Sequence, residues 1–156
     1  MSKIDIETVE NKILEIIQAN FNNKIAEINT DKGDSLLTNI DKYMNNFYEE
    51  VTNYSQFIFY SMDNPVVTSN AGAQFGTDWE MIIEVFLNNT NNETTTRSKI
   101  YRYTRALCEI IQDNQSSITK YCSLPEISAL APQSVTDINN ETPYQIGGIR
   151  IKININ

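Results

Sequence analysis

QIGGIRIKININ, residues 145–156, is the stretch that decides the fold. Four isoleucines alternate in it with charged or polar residues, and this period of two predicts a strand with one apolar and one polar face. The four are Ile149, Ile151, Ile153 and Ile155. Because chain ends fray unless something holds them, we expect this strand, over about 145–155, to be paired with another strand.

Two arrangements are open for the 145–155 strand. It is either a central strand of the chain's own sheet, which we favour, or part of a seam where the sheet continues into a neighbouring subunit through an exposed edge. The seam candidates are Ile149, Arg150, Ile151, Lys152 and Ile153. In either case Gly147 and Gly148 are expected to permit a bend or a bulge where the strand enters its pairing.

A second strand is predicted by DWEMIIEVFLNN, residues 78–89. Odd-numbered apolar residues from Trp79 to Leu87 form one face, and Ile82 and Phe86 lie on the other face with Glu80 and Glu84. A strand that is apolar on much of both faces is usually covered on both sides. We therefore expect residues 78–88 to form a central strand.

Helical spacing appears in three other segments. Apolar residues three and four positions apart predict helices over about 6–28, 35–52 and 95–113. Gly33 is expected to end the first helix, and Asp34 or Ser35 to begin the second.

The remaining segments predict two short strands and two long loops. Aromatic and β-branched residues favour strands over about 54–62 and 117–122. Small residues predict a loop or a loose hairpin arm over 63–77, and weak periodicity with three prolines predicts a loop over 123–143. Together the elements predict one α+β domain over residues 1–156, with a mixed or antiparallel sheet of about four to five strands flanked by amphipathic helices.

Composition restricts the classes of partner. Twelve basic and twenty acidic residues give a net charge of −8. Such a surface argues against nonspecific binding to DNA or RNA, because that binding depends on Lys and Arg neutralising phosphates. There is no apolar run long enough to span a membrane and no signal-peptide pattern at the start, so the sequence predicts a protein with no membrane partner.

The residues needed for most enzyme chemistry are missing. The chain has no histidine, which removes the usual general base, the Ser-His and Cys-His nucleophile pairs and a frequent metal ligand. Glu80 and Glu84 would lie about 13 Å apart along a strand, too far for a glycosidase pair. The acidic residues around Gly33 do not have calcium-loop spacing. The sequence predicts no catalytic residue, no cofactor and no metal.

A basic cluster is the unusual feature of this acidic chain. Its members are Arg97, Lys99, Arg102 and Arg105. Either they form an exposed helix face that is balanced by acidic residues of the same chain, which we favour, or they face an acidic patch on a neighbouring subunit, where complementary charge sets the register.

Three segments together carry a resemblance to a known class of proteins. They are DWEMIIEVFLNN, then TTRSKIYRYTRALCEIIQDN after a polar loop, and YQIGGIRIKININ at the end, all preceded by a long amphipathic helix. In order, length and character, over about two thirds of the chain, these elements resemble the neck and tail-completion proteins of tailed bacteriophages, especially the tail terminators. The 35–52 segment and the proline-punctuated 123–143 segment depart from that pattern.

The resemblance implies a structural role in the virion. Such proteins form rings, usually hexamers, at the head–tail junction, where they contact connector or adaptor proteins and the tail tube, and DNA passes through the lumen without specific binding. It also implies assembly in the host cytoplasm and no enzymatic activity. Two other classes stay open: a small acidic module that binds or inhibits a basic host protein, and an enzyme that uses Tyr, Lys or carboxylates.

Overall fold

The computed structural model of the chain describes residues 5–45, 54–63, 78–88, 93–136 and 143–155. Helices and a five-stranded mixed sheet within these ranges confirm the α+β class. In chain order the elements are α1 (Ile6–Lys32), β1 (Tyr43–Met44), β2 (Gln56–Asp63), β3 (Asp78–Asn88), α2 (Glu93–Asp113), α3 (Gln115–Ile118), β4 (Glu126–Thr136) and β5 (Pro143–Asn154).

The strands lie in the order β1-β2-β3-β5-β4. The short β1 is parallel to β2, and all other neighbours are antiparallel. The expected central position of residues 78–88 is confirmed, since β3 lies between β2 and β5. The own-sheet arrangement of the C-terminal strand is also confirmed. The seam alternative is wrong, because both edges of β5 are already occupied by β3 and β4.

One face of the sheet and the helices enclose the main core. Ile149, Ile151 and Ile153 of β5 lie on this face with Met81, Ile83 and Val85 of β3. They pack with α2, while α1 runs beside α2 in the opposite direction, as the Lys24–Asp113 and Arg105–Asp31 contacts show. Burial of this continuous apolar layer is the main stabilising term of the fold.

The other face of the sheet carries a smaller aromatic cluster. Its buried members are Met44, Phe57, Phe59, Phe86 and Tyr144. The Phe57 and Phe86 rings are stacked with centroids 4.7 Å apart, and Tyr144 meets both edge-on. Offset stacking and edge-to-face contacts suit the ring quadrupoles. The cluster fixes β2, β3 and β5 to one another on the side away from α2.

The first helix begins at the predicted residue, and the predicted glycine ends it. Its last helical residue lies beyond the predicted bound. Asp5 is the N-cap, and its carboxylate accepts a hydrogen bond of 2.8 Å from the Thr8 backbone N–H. Gly33 ends the helix in the left-handed conformation, with φ of 68°, which a residue without Cβ adopts at little cost. The helix therefore extends to Lys32, four residues beyond the predicted end at 28.

The predicted helix over 35–52 is wrong for its described part, residues 35–45; the rest lies outside the described residues. No helix forms over 36–42, because side chains from α1 and α2 bind the backbone there. Asn29 donates to the Leu37 carbonyl at 2.9 Å and accepts from the Leu37 N–H at 3.1 Å. Asn22 accepts from the Ile40 N–H. The Tyr103 hydroxyl donates to the Thr38 carbonyl at 2.8 Å.

The strand predicted over 117–122 is also wrong. Residues Gln115–Ile118 form the one-turn helix α3, and a turn follows in which the Tyr121 N–H donates to the Ile118 carbonyl. Ile118 is buried in the main core, so one apolar anchor and local turns replace strand pairing here. A run this short does not distinguish the two states by periodicity.

The loop predicted over 123–143 is largely a strand instead. β4 occupies Glu126–Thr136 and pairs with β5, while residues 137–142 lie outside the described part. The prolines that suggested a loop occupy positions where no ladder N–H is needed: Pro125 precedes β4, Pro132 lies in its bulge, and Pro143 begins β5.

Of the loop predicted over 63–77, Asp63 belongs to β2, and 64–77 are outside the described residues.

The two glycines of β5 allow close approach of neighbours rather than a bulge in their own strand. The β3–β5 register is continuous past both of them, and the irregularity lies in β4, between Leu130 and Gln133. A Cβ on Gly147 would lie 2.2 Å from the Ile100 side chain, and one on Gly148 would lie 2.0 Å from the Ile83 carbonyl oxygen. A register irregularity does occur opposite Gly147, as expected, but the extra residue belongs to β4 and not to β5.

We expect Gly148→Ala to be the more damaging of the two glycine substitutions. Its methyl group would meet the β3 backbone, which cannot move without breaking the ladder, so a loss of about 3 kcal/mol or more is expected, at the upper end of overpacking effects. Gly147→Ala meets a flexible Ile100 side chain and should cost less. Urea denaturation of both variants measures the difference, and an equal or reversed order would contradict this account.

We expect Asn29→Ala to lower the free energy of unfolding by about 1–3 kcal/mol, because it leaves the Leu37 N–H and carbonyl without their side-chain partners. Asn23→Ala is the matched control, since Asn23 is an exposed asparagine of the same helix. Thermal and urea unfolding of the two variants would be compared. Equal stability of both would show that the 36–42 segment does not depend on α1 for its conformation.

Candidate interface surfaces

Two members of the basic cluster are neutralised within the chain. Arg102 Nη1 lies 2.8 Å from Asp34, just after the end of α1. Arg105 Nη1 lies 2.8 Å from Asp31, and its Nε lies 2.6 Å from Glu109, one turn further along α2. The favoured alternative, balance by acidic residues of the same chain, is therefore confirmed for Arg102 and Arg105.

These ion pairs also lower the pKa values of the two aspartates. Hydrogen bonding and the charge of Arg105 lower the pKa of Asp31 below its ordinary value. The Arg102 guanidinium, followed by the Leu36 N–H, lowers the pKa of Asp34 in the same direction. Both carboxylates are exposed, so each pair contributes little stability by itself. The Arg102–Asp34 pair joins the start of the 34–42 segment to α2, and the Arg105–Asp31 pair joins the last turn of α1 to α2.

The other two members of the cluster have no such partner. Neither Arg97 nor Lys99 makes an ion pair with any residue in the described ranges, and Arg97 is exposed while Lys99 is half-buried. Both belong to the first turns of α2, before the region where α1 packs alongside. The structure therefore divides the predicted cluster into an internally paired half and an unpaired half.

The C-terminal strand candidates divide by face. Ile149, Ile151 and Ile153 point into the main core and are almost completely buried, so they offer no surface to a partner. Arg150 and Lys152 point to the opposite face. Arg150 Nε lies 3.4 Å from Glu80 Oε2, close enough for an ion pair but without the alignment of a hydrogen bond.

Glu84 is a second half-buried carboxylate of that same face, after Glu80. It lies on β3 between Phe59 of β2 and Gly148 of β5, and no hydrogen bond or ion pair joins it to a described residue. Burial raises the pKa of Glu84 above its ordinary value, because removing the charged form from water is unfavourable. Because Gly148 has no side chain, Glu84 lies opposite the backbone of β5 and not opposite another side chain.

A groove lies at the end of the sheet where β3 and β4 begin and β5 ends. Its volume is about 320 Å³, and we call it the sheet-end groove. The lining includes Asp78, Trp79, Leu124, Glu126, Lys152 and Ile153. Backbone bonds between Ser123 and Asn154 hold its rim: the Ser123 N–H donates to the Asn154 carbonyl, and the Asn154 N–H donates to the Ser123 hydroxyl.

Comparison with known proteins gives no assignment. Neither a scan against protein-family models nor a search of curated proteins found a match. Function must therefore be argued from the molecule.

The described residues were also searched for two other kinds of site. No group of three or more His, Cys, Asp or Glu side chains in these ranges is arranged to hold a metal ion. No helix in the same ranges is both long and apolar enough to cross a bilayer. Cys108 and Cys122 are free, half-buried thiols, and burial raises the pKa of both, which keeps them in the less reactive protonated form.

Sequence reasoning missed two surface residues. Tyr101 is 55% exposed and Leu124 is 60% exposed, the two large hydrophobic side chains that stand out from the described surface. The helical spacing of α2 contained a signal for Tyr101, because it falls outside the buried stripe formed by Ile100, Tyr103 and Leu107. Leu124 carried no signal, since its position depends on the unpredicted strand β4.

We expect Glu84→Gln to stabilise the protein near neutral pH. Because the folded pKa of Glu84 lies above the unfolded value, the folded state binds the proton more tightly, and stability falls as pH rises through the range between the two pKa values. Removing the charge should raise Tm near neutral pH and have little effect well below pH 4.5, the ordinary pKa of this group.

Glu7→Gln, at an exposed position of α1, is the matched control. Thermal unfolding of both variants across this pH range measures the effect. A Tm gain for Glu84→Gln that persists at acidic pH would show that the stabilisation does not come from removal of a desolvated charge.

Proposed function

We propose that this chain is a structural virion protein, a subunit of a ring at the head–tail junction of a tailed bacteriophage, of the tail terminator or neck class. The role requires shape and symmetric association and no chemical reaction. Its neighbours would be connector or adaptor proteins and the tail tube, and DNA would pass through the ring.

The architecture is the observation that carries the proposal. The resemblance implies a subunit with a mixed or antiparallel sheet flanked by helices, and the chain has a mixed five-stranded sheet with α1 and α2 on one face. The two strands on which the resemblance rests, β3 and β5, are the central pair of that sheet. The segments that carry the resemblance are thus the same ones that organise the fold.

The charge of the chain supports passage of DNA without attachment. At a net charge of −8, a ring of identical subunits would carry a large fixed negative charge. Phosphates are repelled by such a wall, and part of the positive charge that could replace their counterions is already neutralised, because Arg102, Arg105 and Lys24 are paired with carboxylates of the same chain.

The alternative of an acidic inhibitor of a basic host protein has less support. It requires Asp and Glu side chains concentrated on one free face. In the described part, Asp31, Asp34, Glu109 and Asp113 are instead engaged with cations between α1 and α2. A pull-down from host lysate in which a basic protein binds the monomeric chain would favour this alternative.

We expect the purified chain to form closed rings, most often hexamers, with a channel wide enough for a DNA duplex. Mass photometry and negative-stain imaging measure stoichiometry and shape. A chain that stays monomeric at high concentration and joins neither a connector nor a tail tube would contradict the proposal.

We also expect the ring to leave duplex DNA unbound in a mobility-shift assay at about 50 mM salt, where nonspecific binding is strong. A basic DNA-binding protein tested in the same gel is the positive control. Saturable retention of DNA that weakens with added salt would contradict a passive channel.

A further inference from the structure

Two large apolar side chains are exposed, one beside a cation and the other beside carboxylates. Tyr101 follows Arg97 by four residues on α2, which places both on one side of the helix. Leu124 lies in the sheet-end groove with Asp78 and Glu126. Tyr101 is 55% exposed and Leu124 is 60% exposed, so each charged surface includes a large apolar group that folding leaves in water.

The two surfaces lie towards opposite ends of the sheet. Ile100, next to Tyr101, lies against Gly147 near the beginning of β5. The sheet-end groove contains Ile153 and Asn154, at the end of the same strand. Seven residues of extended chain, from 147 to 154, span about 23 Å. One subunit therefore cannot bring its own Tyr101 into its own groove.

The groove has features that suit an inserted aromatic or cationic side chain. Trp79 is half-buried and Leu124 is exposed, so the groove has apolar walls. Its charged lining consists of the carboxylates of Asp78, Glu80 and Glu126 and one cation, Lys152, and Asp78 accepts a hydrogen bond from Asn154 Nδ2. Tyr and Arg are the residues that most often dominate interface energies when they enter such a site. The bonds between Ser123 and Asn154 hold the segment that carries Leu124, so less entropy is lost on binding.

We propose that Arg97 and Tyr101 of one subunit dock into the sheet-end groove of the next copy of this chain. This inference rests on the proposed ring function and names the contact that builds the ring. Charge complementarity identifies a second copy as the occupant: copies with a net charge of −8 repel each other, except where a cation without an ion pair meets a groove in which carboxylates outnumber cations. Tyr101 would lie against Leu124 and Trp79, with Arg97 opposite Asp78 and Glu126.

Such a contact is head-to-tail, since two different surfaces meet. Contacts of this type close into a ring when the rotation between neighbours allows it and otherwise produce an open helix. A two-fold dimer would require one surface to contact itself, and the two surfaces described here are each of one dominant sign. The contact therefore fits a cyclic assembly.

A charge exchange between the two surfaces tests the contact. Arg97→Glu makes both surfaces of the subunit negative, and the double variant Asp78→Lys with Glu126→Lys makes both positive; all three positions are exposed, so folding should be kept. Each variant alone should show at least a tenfold weaker association by sedimentation velocity and mass photometry. An equimolar mixture should assemble again, because each variant complements the other and the two can alternate around a ring.

Matched controls separate this contact from a general effect of net charge. Lys32→Glu and the double variant Glu7→Lys with Glu15→Lys make the same changes in charge at other exposed positions, and both should assemble as the wild type does. Tyr101→Ala should weaken association without any change in charge. Circular dichroism of each variant confirms that it is folded.

The outcomes distinguish this inference from the proposed function. Wild-type rings that persist unchanged in Arg97→Glu and in the groove variant would overturn the contact and leave the ring function standing. A wild-type chain that never associates, alone or on a connector, would overturn both. Weakened variants that the mixture fails to restore would also overturn the direct pairing of these two surfaces.

Discussion

The pairing of β3 with β5 is the interaction on which the rest of the structure depends. The two strands are in register without a break from Asp78 opposite Asn154 to Asn88 opposite Tyr144. They are far apart in the sequence, and α2 and β4 lie between them along the chain. Gly148 lets the two backbones approach closely, and α2 packs over the neighbouring Gly147. Because this contact closes a long loop, its formation is the slow, organising event expected for non-local sheets.

How much could be predicted from sequence depends on whether a segment's partners are local. The central strands and the two long helices have sustained periodicity, and all four were predicted. The 36–42 segment was not, because Leu37 and Ile40 fit helical spacing while the groups that hold the segment extended, Asn22 and Asn29, come from another element. β4 was missed because it is an edge strand with weak alternation, in which proline positions are acceptable.

The candidate surfaces could be predicted only in part, because the contacts that neutralise their charges come from other elements of the fold. The basic cluster on α2 is visible in the sequence, but which of its members are neutralised depends on where α1 ends. Arg102 and Arg105 meet Asp34 and Asp31 there, and Arg97, more than a turn earlier, meets no described carboxylate. Lys24 makes a similar link at the other end of α2, and its bonds to Glu27 and Asp113 raise its pKa to about 12.

The outer edge of β4 has a consequence for aggregation of the protein at high concentration. From Ile127 to Thr136 this strand has no charged residue, and among the described strands only β5 pairs with it. Neutral edges of this kind can recruit further chains into fibrils. Pro132 and the bulge around it interrupt the ladder halfway along the strand. Another chain could therefore pair with only a short part of this edge. The proline thus disfavours amyloid growth from this edge.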